Sequence, residues 1–142
     1  MRLACLGSGS EGNAFLVEAD EGCRVMLDCG FGIRETERRL ALLKCAPEDI
    51  GALVVTHEHA DHIGSAYRFA QRYGTPLYMS YGTYGATYHK LGTRKKADIR
   101  FCQSGRPFDV GGLTISPYTV PHDAREPLQF VFQSGVTRIG VL

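Results

Sequence analysis

Two periodic patterns of apolar and polar residues along this chain predict its secondary-structure elements. Short apolar or β-branched runs bounded by glycine, proline and polar residues are typical of strands, whereas apolar residues three or four apart are typical of helices. The pattern predicts helices at residues 33–44, 63–73 and, more weakly, 81–91, and strands at residues 3–6, 13–18, 23–28, 52–55, 77–80, 99–102, 107–110, 113–120, 128–133 and 137–142. This order predicts an α/β fold with a mixed β-sheet that opens as an antiparallel meander.

The size and composition of the chain narrow the class of protein. Its 142 residues are enough for one domain, and a formal net charge of +1 argues against a strongly basic nucleic-acid binder. No apolar run approaches the length that spans a bilayer, and the first residues lack the apolar region of a signal peptide. The five cysteines form no Cys-x-x-Cys pair, so we expect reduced thiols in the cytoplasm, with a disulfide framework as the alternative.

The strongest chemical signal is a histidine cluster directly after the fourth predicted strand, where the chain reads Thr-His-Glu-His-Ala-Asp-His at residues 56–62. Alternate side chains of an extended segment share a face, so we expect His57 and His59 to point the same way. Asp61 and His62 should face the same cavity from another side, and Asp61 is placed to cap the following helix. Imidazole and carboxylate groups suit zinc and other first-row metals. A histidine-rich surface loop is the alternative, but strand ends are where open α/β sheets place their sites.

Three residues elsewhere in the chain complete the candidate chemistry. His122 follows a predicted strand and begins a loop, as His57 does, so we interpret it as a third metal ligand rather than a structural histidine. Asp28 ends a predicted strand and either caps a turn or accepts a hydrogen bond from the second nitrogen of a ligand histidine. His89 lies in a poorly patterned region and is interpreted as a surface residue.

Two polar segments give weaker signals. The first predicted loop, residues 7–13, contains three glycines that allow its N–H groups to form an anion-binding nest, although such loops are more often plain turns. A second segment concentrates positive charge, and a solvated face is the ordinary interpretation of such a cluster. A strip that contacts phosphates is the alternative. Its residues are Lys90, Arg94, Lys95, Lys96 and Arg100.

Taken together, these motifs resemble the metallo-β-lactamase superfamily. The resemblance is carried by the histidine cluster at residues 57–62, by Leu-Asp-Cys-Gly at residues 27–30 and by His122. The opening Leu-Gly-Ser-Gly-Ser-Glu-Gly-Asn at residues 6–13 is similar to the YycJ/WalJ branch, bacterial proteins regarded as metal-dependent nucleases or phosphodiesterases. The resemblance implies an αβ/βα sandwich with a mixed β-sheet and a site for up to two divalent metals at one edge.

The resemblance also assigns residues to the two metals. His57, His59 and His122 would hold one ion, Asp61 and His62 would belong to the second, and Ser8 and Ser10 would lie close enough to steady a phosphate. Members of the family continue for roughly another hundred residues, the size of a small domain. Residues 1–142 therefore resemble the N-terminal half of one metallo-β-lactamase-like domain, truncated at the C-terminus. We expect such a half to bind at most one metal tightly, to show little activity and to self-associate through an exposed apolar sheet face.

The implied function is metal-dependent hydrolysis of phosphodiester bonds, most readily those of a nucleic acid. In the family the metals lower the pKa of a bound water, which supplies a metal-bound hydroxide, and they clamp the phosphoryl oxygens. Asp61 is expected to orient or deprotonate that water. Zinc is the expected metal, with manganese and iron as alternatives. A thioester or lactam hydrolase on the same scaffold and an inactive metal-binding fragment are the alternative functions, because one scaffold hosts many chemistries.

Overall fold

The chain opens with an antiparallel meander, as the apolar pattern predicts. The structure is a computed structural model that describes residues 1–91 and 96–141. Strands β1 (Arg2–Gly7), β2 (Ala14–Glu18) and β3 (Arg24–Leu27) pair in that order. Because β1 and β3 run in the same direction, the loop at residues 8–13 and Asp28 emerge at the same edge of the sheet.

Strand β3 also begins the parallel half of this first sheet. Strands β4 (Ile50–Val54), β5 (Leu77–Met79) and β6 (Ile99–Phe101) follow in parallel and complete six strands in the order β1 to β6. The connections are helical, as right-handed crossovers between parallel strands usually are. They contain α1 (Ile33–Leu42), α2 (Ala60–Ile63), α3 (Ala66–Tyr73), α4 (Tyr81–Thr87) and short 3₁₀ helices at Pro47–Asp49 and Tyr88–Leu91. Parallel strands deliver the residues that follow them to one edge, where the histidine cluster lies.

A second, antiparallel sheet packs against the first. It contains β7 (Phe108–Val110), β8 (Leu113–Thr119), β9 (Leu128–Ser134) and β10 (Thr137–Val141), in the order β10-β9-β8-β7. Along β9, buried residues alternate with half-buried ones, which is the period of a strand covered on one face. The first sheet therefore has helices on one face and the second sheet on the other, which is the predicted mixed α/β sandwich.

Two apolar cores flank the first sheet, and neighbouring residues of one strand enter opposite cores. In β3, Met26 packs with the helices, whereas Val25 and Leu27 pack with the second sheet. Burial on both faces explains why the central strands read as continuous apolar runs without alternation. The largest fully buried side chains of the two cores include Leu40, Leu53, Phe69, Met79, Leu113, Ile115, Phe130 and Phe132.

The helix predicted at residues 63–73 is confirmed over residues 66–73, but its start is wrong, because the chain forms two helices there. Helix α2 ends before Gly64, and α3 begins after Ser65. A Cβ at Gly64 would lie 2.4 Å from the carbonyl oxygen of Gly30, and the Ser65 N–H donates to the carbonyl of Cys29 at 2.8 Å. The break is therefore the place where the chain crosses closely over the segment that follows β3.

Two surface features relate to the predictions of a basic strip that contacts phosphates and of self-association through an apolar sheet face. Lys90, Lys96 and Arg100 of the basic strip are exposed, whereas Arg94 and Lys95 lie outside the described residues. In residues 1–91 and 96–141, no helix has both the length and the apolar character needed to cross a bilayer. The outward positions of β8 and β9 are mostly polar and half-buried, namely Thr114, Ser116, Tyr118, Gln129, Val131 and Gln133. Self-association stays a prediction.

Candidate metal centre

Three imidazoles from distant parts of the chain converge at the edge of the first sheet. His57 follows β4, His59 precedes α2, and His122 lies in the loop between β8 and β9. Their ligand nitrogens all lie within 4.8 Å of one another, and His57 Nε2 lies 3.1 Å from His122 Nε2. Two nitrogens that are each about 2.0–2.1 Å from a tetrahedral ion lie about 3.3 Å apart. The donor set and its spacing therefore fit a divalent metal.

The loop that carries His122 is fastened to the first sheet by backbone hydrogen bonds. The Arg125 N–H donates to Glu58 Oε1 at 2.8 Å, and the Leu128 N–H donates to the carbonyl of Thr56 at 3.0 Å. Both acceptors belong to the segment that carries His57 and His59. The same segment thus presents two histidines and positions the third, a role of Glu58 that the sequence pattern did not reveal.

Asp28 is the buried centre of a hydrogen-bond network beneath the histidines. The residue is only 2% exposed, and its Oδ1 accepts the Thr56 N–H at 2.8 Å. Its Oδ2 accepts the Thr56 hydroxyl at 2.9 Å and lies 2.8 Å from His62 Nδ1. The backbone of Asp28 is left-handed, with φ of 61°, a conformation that Asp and Asn adopt more readily than other residues with side chains. Of the two roles predicted for Asp28, this geometry matches the acceptor beneath a histidine.

This network assigns the tautomers of two histidines. The Thr56 hydroxyl has one proton, and it donates that proton to Asp28. The hydroxyl must therefore accept a proton from His57 Nδ1, which lies 2.9 Å away, so His57 Nε2 is left as the free electron-pair donor. His62 Nδ1 faces a carboxylate oxygen of Asp28, which accepts, so Nδ1 of His62 donates. In the neutral ring Nε2 is then the electron-pair donor, and it lies 3.2 Å from Asn13 Nδ2. The sequence pattern does not assign Thr56 to the site, although its position directly before His57 indicates that it lies close to the ligand histidines.

The electrostatics of the two histidines differ. Burial, together with the positive charges of the neighbouring histidines, lowers the pKa of His57 from 6.5 to about 4. His57 is therefore neutral near pH 7, as metal ligation requires. Burial also acts to lower the pKa of His62, but the hydrogen bond from His62 to Asp28 and the negative charges of Asp28 and Asp61 outweigh it, so that this pKa is raised.

Asp61 lies inside α2 and does not cap a helix, so the predicted cap is wrong. Residue 59 precedes the first turn of α2, and its side chain makes no capping hydrogen bond. The carboxylate of Asp61 is held by Asn13 instead, whose Nδ2 donates to Asp61 Oδ2 at 2.9 Å. Asp61 Oδ2 also lies 3.5 Å from His62 Nε2. Asp61 and His62 thus share a corner of the site next to the three converging imidazoles.

Asn13 connects the first loop to this corner. Its backbone N–H donates to the carbonyl of Asp61 at 2.7 Å, and its side chain both accepts from and donates to the backbone of Gly9, at 3.0 and 3.1 Å. Gly30 makes this approach possible, because a Cβ there would lie 1.8 Å from the carbonyl oxygen of Asp61. Asn13 had not been singled out from the sequence, since a single asparagine after a glycine-rich loop is usually part of a turn.

The remaining candidates lie on the surface. Ser8 and Ser10 are exposed in the loop that Asn13 fastens, and they line an open cavity of about 340 Å³ with Arg39. The predicted role of the two serines in steadying a phosphate stays a prediction. His89 is exposed in the 3₁₀ helix after α4, so the prediction that it is a surface residue is confirmed.

Fold and site together define a class of protein. A mixed sheet between a layer of helices and a second sheet, with a donor set for a divalent metal at its edge, corresponds to three of the four layers of an αβ/βα sandwich. A family model of the metallo-β-lactamase superfamily matches residues 7–137. The chain belongs to the metallo-β-lactamase superfamily.

Comparisons with individual proteins agree with this assignment. The chain is 29% identical to the exodeoxyribonuclease YycJ of Bacillus anthracis, over all of this chain and 53% of that protein. It is 31% identical to the exodeoxyribonuclease WalJ of Streptococcus pneumoniae, over 92% of this chain and 49% of that protein. The solved structure of the Rm3 metallo-β-lactamase superposes on 97% of this chain and 56% of its own, with a TM-score of 0.77 at 19% identity. The chain spans about half the length of the curated relatives it matches.

Proposed function

We propose that this protein is a metal-dependent hydrolase that cleaves phosphodiester bonds of nucleic acid. The observation that carries the proposal is the convergence of His57, His59 and His122 above a buried carboxylate that fixes the tautomer of a ligand histidine. The names of the relatives YycJ and WalJ, both exodeoxyribonucleases, support nucleic acid as the substrate. A cavity of about 280 Å³ beside His57, His62 and His122 gives a substrate access to the cluster.

The residues of this chain divide the work as follows. His57, His59 and His122 would hold one ion, and Asp61 and His62 would contribute to a second. A divalent metal bound there supplies Lewis acidity, both for water and for the phosphoryl oxygens. Asp61, held in orientation by Asn13, would orient the attacking water and accept a proton from it at the carboxylate.

Zinc is the metal we propose, because a nitrogen-rich donor set without cysteine suits a reactive zinc site rather than a closed structural one. Manganese and iron are alternatives that metal replacement would separate. A cytoplasmic location is also part of the proposal. It is supported by the five cysteines, all of which have free thiols in this structure.

Turnover of three small substrates tests the proposal. Bis-p-nitrophenyl phosphate reports phosphodiester hydrolysis, nitrocefin reports lactam hydrolysis, and S-lactoylglutathione reports thioester hydrolysis. We expect slow turnover of the phosphodiester that is lost on chelation, restored by zinc and abolished in His122→Ala. Leu42→Ala, on the exposed side of α1, is the matched control and should behave as wild type. Preferential turnover of nitrocefin, or no turnover of any substrate after metal addition, would contradict the proposal.

A further inference from the structure

Two aromatic rings form an exposed stack at the edge of the first sheet. Tyr81 begins α4, and Phe101 ends the edge strand β6. Their ring centroids lie 4.0 Å apart with an interplanar angle of 15°, and Tyr84 meets Phe101 edge-on at 5.3 Å. Tyr81 is nevertheless 55% exposed and Phe101 40% exposed. The pair therefore presents preformed, ordered ring surface to solvent.

This stack lies beside the loop that carries His122. The two residues that flank Tyr81 both bond to Glu126, four residues after His122. The Ser80 hydroxyl donates to the carbonyl of Glu126 at 2.9 Å, and the Gly82 N–H donates to Glu126 Oε2 at 2.7 Å. The stack and the histidine cluster are thus two neighbouring features of one edge of the sheet.

Two cationic residues lie on chain segments that adjoin the stack. Arg125 is exposed in the loop between His122 and Glu126, and its carbonyl carbon would lie 3.2 Å from a Cβ at Gly82. Lys90 is exposed in the 3₁₀ helix that follows α4. Exposed rings next to cationic side chains are the composition of surfaces that bind a single strand of nucleic acid, where bases stack and phosphates pair with cations.

We propose that the Tyr81–Phe101 stack is a base-binding subsite for single-stranded DNA. An unpaired base would extend the stack on its open face, while Arg125 would contact a phosphate between that base and the histidine cluster. This inference rests on the proposed function, because it specifies the strand form of the DNA substrate. The bases of a duplex already stack on their neighbours, whereas those of a single strand have free faces. Since every base has such a face, the subsite should be tolerant of sequence.

Substitutions at Phe101 test the subsite through measurements of DNA binding that do not depend on hydrolysis. Anisotropy of a fluorescein-labelled oligothymidine, measured in the presence of a chelator, reports affinity without hydrolysis. Phe101→Ala should weaken the Kd by about 5- to 150-fold, the effect of losing one base–aromatic stack. Phe101→Trp should keep the affinity, and since the chain has no other tryptophan, its fluorescence should be quenched by oligothymidine. Leu42→Ala, which removes an exposed apolar side chain from α1, should bind as wild type.

Several outcomes would overturn the subsite. Wild-type affinity in Phe101→Ala would mean that the rings only cover the edge of the sheet. Unchanged tryptophan emission of Phe101→Trp at saturating oligothymidine would exclude stacking even if the alanine variant does not fold. A duplex of equal length that binds as tightly as the single strand would exclude the preference for unpaired bases. Turnover of bis-p-nitrophenyl phosphate is measured separately, so failure of the proposed hydrolase function is distinguishable from failure of the subsite.

Discussion

Asp28→Asn is the substitution that most directly probes how the candidate site is held. Asparagine keeps the shape of the side chain and tolerates the left-handed backbone at φ of 61°. Its Oδ1 can still accept the Thr56 N–H, but an amide N–H now faces His62 Nδ1 in place of a carboxylate oxygen at 2.8 Å. The charge-assisted hydrogen bond to His62 is therefore lost, and the Thr56 hydroxyl keeps only its 3.1 Å contact with Oδ1. The lost bond alone costs about 1.5–3 kcal/mol in unfolding free energy. Burial raises the pKa of Asp28, so removing its charge offsets part of that cost.

The same substitution should weaken metal binding. Loss of the partner that orients a ligand histidine typically reduces metal affinity about 10- to 100-fold. Asp28 also orients His57 through the Thr56 hydroxyl, so the effect should reach the three-histidine cluster. Zinc competition against a chromophoric chelator measures the affinity, and urea unfolding in excess chelator measures the stability of the metal-free protein.

A matched control distinguishes the effect of disrupting the Asp28 hydrogen-bond network from the effect of removing one negative charge. Asp109 is exposed, and its Oδ1 accepts the Thr114 hydroxyl at 2.6 Å, so Asp109→Asn should change stability by less than about 0.5 kcal/mol and leave zinc affinity unchanged. Wild-type stability and zinc affinity in Asp28→Asn would refute the idea that this carboxylate fixes the histidines.

Three further predictions follow from other parts of the chain. The pKa of His57 falls from 6.5 to about 4 on folding, so between these pH values the unfolded state binds a proton that the folded state does not, and the metal-free wild type should become less stable as pH falls from 6.5 to 4. Urea midpoints should fall less with acid in His57→Gln, and equal losses of stability in the two proteins would contradict the pKa assignment. Gly30→Ala places a Cβ 1.8 Å from a backbone carbonyl oxygen of α2 and should lower both Tm and zinc affinity, whereas Gly85→Ala, with open space around its Cβ, should not; equal Tm values would count against this close contact. In Ellman titrations, exposed Cys5 should react first, whereas buried Cys29, with its pKa raised to about 12 by burial, should react only in urea; a fast second thiol equivalent from Cys29 would argue against its burial.

The boundaries of the strands and helices show where local sequence patterns were sufficient to predict secondary structure. Strands β8 and β9 were predicted to within one residue, because their alternation and flanking turns are local. The start of the helix predicted at residues 63–73 was wrong because its interruption at Gly64 depends on contact with the distant Gly30. Apolar spacing continues across the break, and Gly64 followed by Ser65 was the local signal that pointed to it.

The sequence by itself determined the metal chemistry of the donors. The residue types at positions 57–62, at the end of an apolar strand, predicted imidazole and carboxylate donors at a sheet edge, and the loop position of His122 singled it out as the partner. These are properties of composition and strand periodicity, which are local along the chain.

Only the tertiary structure decided what surrounds those donors. The 3.1 Å approach of His122 to His57 depends on how the two sheets pack and on the hydrogen bond from the Arg125 N–H to Glu58. The contact of Asn13 with Asp61 joins residues 48 positions apart. Such contacts are fixed by how the two sheets pack and where loops cross, because burial forces each polar group to find a partner wherever the fold places one.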